Sequence, residues 1–438
     1  MAGGTWTTQN EVRPGIFINF ASKPKPLGAI GERGITSMAL ALPWGAPQTL
    51  ITIHAGDDIK TLLGYDVLDA DMLLIKEALK RAQTLLLYRL NTGTKAAATH
   101  GTLTVTAKYG GLRGNDITVI VQVNVDDASK FDVITLLSGV AVHTQTVASV
   151  TDVASNDWAD FTGTGTLTVT AGVNLIGGEN GTVTNQNHTD YLAAVELQDF
   201  QTIALISADM TLKSLYASFV KRLRESEGKK VQAVLENYPS ANHEGVISVK
   251  NGVILTNGTA LTAAQATAWV AGATASAGAN ESLTYSAYDD AVDVMPRYTN
   301  TQISAALLAG EFLFTAINGL AVVEQDINTL TGFTPEKGKA FSKNRVIRVL
   351  DGFANDISKT FHKYYIGKVD NNEDGRGLFK SEIISYMTTQ QGIQAIQNFA
   401  AQTDVSVSAG SETDSIYVEI QLQPVDSVEK IYMKVQVN

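Results

Sequence analysis

Asp370, Asn372, Asp374 and Gly375 stand at positions one, three, five and six of an oxygen-ligand loop, the arrangement by which a helix–loop–helix unit holds calcium. Position twelve is Ser381, where such a loop needs a bidentate Glu, and Glu382 comes one residue late. The same residues suit a plain turn between helices, because Asn, Asp and Gly tolerate positive φ. The plain turn is the stronger reading. His54, His100, His143, His188, His243 and His362 are scattered, with no HExxH or other paired-ligand spacing. No GxSxG elbow serves a serine nucleophile. No phosphate-cradling GxxxxGK(S/T) loop occurs either. Gly28, Gly31 and Gly34 in GAIGERG have the wrong spacing for a dinucleotide loop. The chain contains no cysteine, which excludes disulfides, thiol catalysis and cysteine-held zinc. The expectation is no catalytic, metal or cofactor site.

Charge narrows the partners. The net charge of −11 opposes direct coating of nucleic acid, which needs basic surface. The imbalance is local, however. Between Pro335 and Lys380 there are ten Lys/Arg against six Asp/Glu. No basic-then-apolar start suggests a signal peptide, and no run has the roughly 18–20 strongly apolar residues of a membrane helix. No membrane insertion is expected.

The elements that must position any surface follow from periodicity. At 438 residues with 44% apolar content, the chain can build about three domains. Residues 1–33 read as an extended arm around one short strand, Ile16–Phe20 (Ile16, Phe17, Ile18, Phe20), with Pro14, Pro24 and Pro26 opposing helix and no local strand partner evident. Residues 34–97 alternate strand and helix: GITSMALALP, TLITIH, the helix ADMLLIKEALKRA, then TLLLYRL. The alternation resumes over residues 179–332, with QTIALIS, the helix LKSLYASFVKRLRESEG, VQAVLE, GVILT and a small-residue helix from Thr262. This reads as an α/β layer within a mixed α+β, multidomain chain.

Residues 98–178 have another texture, Thr/Val/Gly-rich and strand-like, as an inserted β domain. The heptapeptide GTLTVTA occurs at Gly101–Ala107 and again at Gly165–Ala171. The copies either mark the start and end of that domain as neighbours or are alike by chance. Residues 333–438 hold a long helix, a Gly/Asn/Asp turn, a second helix and the strands DSIYVEIQLQP and VEKIYMKVQV. In the long helix, Val346, Leu350, Phe353, Ile357 and Phe361 form one apolar stripe. Arg348, Asn355, Lys359 and His362 fall opposite, with Arg345 on the flank. The last strand places Ile431, Met433, Val435 and Val437 on one side.

This C-terminal order of helix, GR-containing turn, helix and strand pair resembles the contractile phage tail sheath proteins. NEVRPGIFINF resembles their N-terminal arm. YGGLRGNDITV resembles a Gly-rich strand start, and LIGGENGTVTNQNHTDYLAAVELQDFQTIALIS the turn, helix and strand after the inserted domain. Glu179-Asn180-Gly181 stands where Asp-Gly is more usual. The likeness is nearest to the short sheaths of Bacillus and Clostridium defective phages and phage-tail-like bacteriocins. It implies a tail-sheath-like architecture: an α/β core, an inserted β domain, a helical-plus-strand C-terminal domain and extended arms, the last over about residues 425–438.

The resemblance further implies a subunit that polymerises helically around a tail tube and contracts to drive the tube through a cell envelope. Its partners would be itself, the tube protein, and baseplate and tail terminator proteins. Its place would be a virion or phage-tail-like particle assembled in the bacterial host cytoplasm. The arm residues Ile16, Phe17, Ile18, Phe20, Ile431, Met433, Val435 and Val437 would pair with neighbouring subunits, and Arg345, Arg348, Lys359 and Lys363 would face the tube. An α/β enzyme with a β insert and a surface adhesin are the alternatives from other classes.

Overall fold

The computed structural model describes residues 2–4, 15–17 and 33–437. The chain divides into two compact units, one of residues 32–355 and 424–438, the other of 1–31 and 356–423.

The first unit is organised by a seven-stranded sheet. Its order is Glu311–Phe312, Val246–Val249, Gln232–Glu236, Thr202–Ala204, Ile35–Leu40, Thr84–Arg89 and Leu50–His54. All neighbours are parallel except the edge strand Leu50–His54, which runs antiparallel to Thr84–Arg89. Period-2 alternation decides which face each side chain meets. Met38, Leu40, Leu85, Leu87 and Val234 enter one core, beneath the helices Leu73–Leu79 and Ala263–Ser276. Ala39, Leu86, Tyr88, Ala233 and Leu235 enter the other, beneath Asn185–Glu196 and Met210–Glu225. A sheet covered on both faces explains the nearly continuous apolar run TLLLYRL.

The helix Ala263–Ser276 is small-residue for a packing reason. A Cβ on Gly272 would stand 2.3 Å from the backbone oxygen of Ala78, so the two helices touch backbone to backbone. Its start is fixed by a capping box, with Thr262 Oγ1 accepting from Gln265 N at 3.2 Å and Gln265 Oε1 from Thr262 N at 2.9 Å.

The inserted β region is a two-sheet sandwich. One sheet runs Val140–Val147, Phe131–Leu137, Ile117–Val123 and Thr170–Asn174; the other runs Ala159–Gly163, Leu103–Ala107 and Ala97–His100. Alternate residues such as Leu103, Val105, Ile117, Val119 and Val121 fill its core. The two ends of the insert meet where Thr94 N donates to Glu179 O at 2.8 Å. Only the first GTLTVTA copy makes a strand in full alternation, Leu103–Ala107. The second lies mostly outside strands, contributing Thr170 and Ala171 to Thr170–Asn174. The copies nevertheless touch, because Thr102 Oγ1 donates to Thr166 O at 3.1 Å.

In the second unit, the end of the long helix Asn344–Tyr364 and the helix Glu373–Gly392 pack through Phe361, Tyr365 and Phe379, with ring centroids 4.8–6.0 Å apart. Tyr386 donates its hydroxyl to the buried Asp356 at 2.8 Å. A hairpin of Val405–Ala409 and Ile416–Ile420 completes it. The turn that resembles a calcium loop is a helix cap: Asn372 Oδ1 accepts from Gly375 N at 2.8 Å.

Candidate assembly site

The C-terminal segment departs from the first unit at a defined root. Glu429 accepts from Thr284 Oγ1 at 3.0 Å, from Gln325 Nε2 at 2.5 Å and from Lys343 Nζ. Burial opposes the charged form of this carboxyl. The hydrogen bonds of Lys343, Gln325 and Thr284 and the Lys343 charge outweigh it and hold the group below the usual carboxylate range. Thr284 is itself shared, since its Oγ1 accepts from Asp326 N at 3.0 Å. Asp326 in turn accepts from Leu283 N at 3.0 Å, from Asn344 Nδ2 at 2.9 Å and from Arg348 Nη2.

Beyond this root the expected strand VEKIYMKVQV is absent: residues 426–437 carry no regular structure. Ile431, Met433, Val435 and Val437 are 76–94% exposed. The correction has a plain cause. An alternating segment becomes a strand only when a ladder satisfies its backbone, and none of the described residues offers this one a ladder. At the other end of the chain, Gly15–Phe17 is a strand carrying Ile16 and Phe17, paired in parallel with Ala2–Gly4. The arm strand therefore has a partner within the arm, contrary to expectation; Ile18 and Phe20 lie outside the described residues.

The hairpin Val405–Ala409/Ile416–Ile420 is two-stranded, so both outer edges lack a ladder partner among the described residues. A cleft of about 580 Å³ opens beside its second strand, lined by Phe361, Tyr365, Val369, Phe379, Asp414 and Ile416. Sequence reading missed the first strand of this hairpin; its signal was the short alternation VSVSA.

The long helix departs from the single-stripe expectation. Asn344, Val346, Ile347, Arg348 and Val349 are all buried, so burial in its first turns reaches well beyond one stripe. Arg348 is 1% exposed, pairs with Asp326 and donates to Glu281 O at 2.9 Å. It is not on a free face. Arg345 is half-buried, and burial lowers its pKa despite the nearby Asp426. A bidentate pair from Arg224 to Asp351, at 2.6 and 2.8 Å, fixes the next turn. Lys359 and Lys363, further along, are exposed. The structure therefore buries Arg348 in structural contacts, leaves Arg345 half-buried and exposes Lys359 and Lys363 near the helix end.

Four family descriptions tile the chain: "Tail sheath protein Gp18 domain III N-terminal region" over residues 33–90, "Phage tail sheath protein beta-sandwich domain" over 91–180, "Phage tail sheath protein central domain" over 181–329 and "Phage tail sheath C-terminal domain" over 336–438. The chain is 39% identical over 467 aligned residues to protein XkdK of the phage-like element PBSX of Bacillus subtilis (strain 168), spanning all of both chains. It is 62% identical to a sheath tail protein from Desulfitobacterium hafniense of known crystal structure, with a TM-score of 0.88 over 97% of this chain and 100% of that one. A second crystal structure, of a sheath tail protein from Listeria innocua, is 40% identical with a TM-score of 0.81, over 93% and 95%. The chain belongs to the phage tail sheath family and is a structural subunit of a contractile sheath.

Proposed function

We propose that many copies polymerise into a helical sleeve around a tail tube, joined by terminal arms that add strands to neighbouring subunits, and that the sleeve contracts to drive the tube through a cell envelope. The observation that carries this reading is the exposed, alternating segment Ile431–Val437, which has no ladder among the described residues. The open edges of the hairpin Val405–Ala409/Ile416–Ile420 are suited to receive such a segment from a second copy. Head-to-tail contacts of this kind generate open helical polymers.

Contraction needs no bound nucleotide if the energy resides in a metastable extended assembly, and no catalytic role is proposed. The tube, the baseplate and the tail terminator are the expected partners, and nucleic acid is not. Assembly would take place in the host cytoplasm, into a virion or a phage-tail-like particle. Membrane insertion is not expected, and no helix among the described residues is long and apolar enough to cross a membrane.

Electron microscopy of purified protein tests the proposal. Striated sleeves are expected, whereas compact particles would speak for an enzyme. A chain lacking residues 1–22, and a Met433→Pro or Val435→Pro chain, should melt like the wild type yet fail to form long sleeves, because proline removes a ladder donor. Normal sleeves from the proline variants would place residues 433–435 outside any shared edge.

A further inference from the structure

An unladdered tail has no reason to leave its body at one point. Fixing a backbone residue is entropically costly, and residues 426–437 make no regular structure that would offset the cost. Yet the tail is held around one point, with Glu429 seated on Lys343 and Asp426 4.0 Å from the same ammonium. The side chains of Glu429 and Lys343 are only 11% and 16% exposed. The carboxylate has donors from three separate places: Thr284, Gln325 and Lys343, the last just ahead of the long helix. Ser427 Oγ adds a contact at 3.4 Å from within the tail. Two residues on, at Ile431, exposure reaches 76%. The change from a seated carboxylate to a solvated chain is abrupt.

We propose that Glu429 is a latch residue, and that its seat among Thr284, Gln325 and Lys343 fixes the point and direction in which residues 431–437 leave the subunit. Its consequence for the sleeve rests on the arm reading above; the latch itself does not. With the root held, a neighbour meets seven residues of constant origin, so the pairing register is set before contact. With the root loose, the same apolar alternation could pair in several registers, because a strand's register is weakly specified where no buried face selects it.

Trypsin reads the latch on the unassembled full chain. It cuts after Lys430 and after Lys434, and it must straighten the residues on both sides of the cut. Cutting after Lys430 requires Glu429 to leave its seat, whereas cutting after Lys434 does not. An acidic neighbour itself slows trypsin, so the informative variant is Lys343→Met, which leaves residues 425–438 unaltered; Gln325→Leu is the second. In the wild type, cleavage after Lys434 should outpace cleavage after Lys430 by at least about tenfold, the factor carried by one charge-assisted hydrogen bond. Intact mass resolves the two products. Both variants should bring the ratio towards one while melting as folded proteins.

A wild-type ratio near one, or a ratio unchanged in both folded variants, overturns the latch. A chain ending at Lys430 reports separately on the arm. Failure to form sleeves supports the arm reading. Normal sleeves overturn that reading and leave the cleavage ratio to decide the latch.

Discussion

At the scale of single residues, the decisive contrast is between Arg348 and Lys359, which share a helix and a charge. Arg348 is sealed against Asp326, which is also 1% exposed. Removing one member of a buried pair strands the other charge, at a cost of about 3–5 kcal/mol. Arg348→Met should therefore destabilise the isolated subunit by that amount in denaturant titration, with assembly failing only as a consequence. Glu429 gives a pH prediction. Its folded pKa is depressed, so its contribution is present above the unfolded carboxylate range and is lost as pH falls through the folded value. The groups facing it are Lys343, the nearby Asp426 and the Asp326–Arg348 pair behind Thr284. The melting-temperature gap between wild type and Lys343→Met should hold from pH 7 to about pH 5 and shrink below about pH 4.

At the scale of elements, the long helix serves two ends. Its start is a buried root, tied by Arg348–Asp326, by Asp351–Arg224 and by Asn355, which accepts from Lys230 N at 2.9 Å and donates to Lys230 O at 2.8 Å. Its last turns carry the exposed Lys359 and Lys363 beside the exposed His362. We propose that this second stretch, without Arg348, faces the tube. Lys359→Glu with Lys363→Glu should weaken loading onto tubes in co-sedimentation while the variant still melts cooperatively as a folded protein. The wild-type contact should weaken with salt, since the Debye length is about 10 Å at 0.1 M and shorter above. Unchanged loading at all salt concentrations would remove this face from the tube contact.

At the scale of the whole molecule, the β sandwich is an insert with touching ends, as the Thr94–Glu179 bond shows. Joining Thr94 to Gly181 by a short linker should preserve a cooperative fold. The excision has a cost that sequence could not reveal. Trp44, from the first unit's own loop, is fully buried in the sandwich core, stacked on Trp158 at 5.8 Å and edge-on to Tyr109 at 5.4 Å. Exposing its roughly 200 Å² at about 25 cal/mol per Å² costs on the order of 5 kcal/mol. Arg89, buried and held by the oxygens of Gly45 at 2.5 Å and Gly110 at 2.6 Å, would lose the second of these. The excised chain should melt in one transition at a clearly lower temperature. Trp44→Gln should improve its solubility, and a non-cooperative transition would make the sandwich part of the core.

What the sequence by itself determined is what period and composition carry locally. The short apolar runs TLLLYRL and QTIALIS and the helical spacing of Met72, Ile75 and Leu79 settle strands and helices, because neighbours along the chain decide them. The ordered family motifs settled the kind of protein. Tertiary structure decided the rest wherever a partner is distant in sequence. Arg348 looks solvated on a helical wheel, but Asp326 and Glu281 O bury it. VEKIYMKVQV has the pattern of a strand, but a strand is a property of two segments, and among the described residues no second one pairs with it. The seat of Glu429 is drawn from residues 284, 325 and 343, and no local pattern marks it. Periodicity reports which way a side chain points; only the folded chain decides what it meets there.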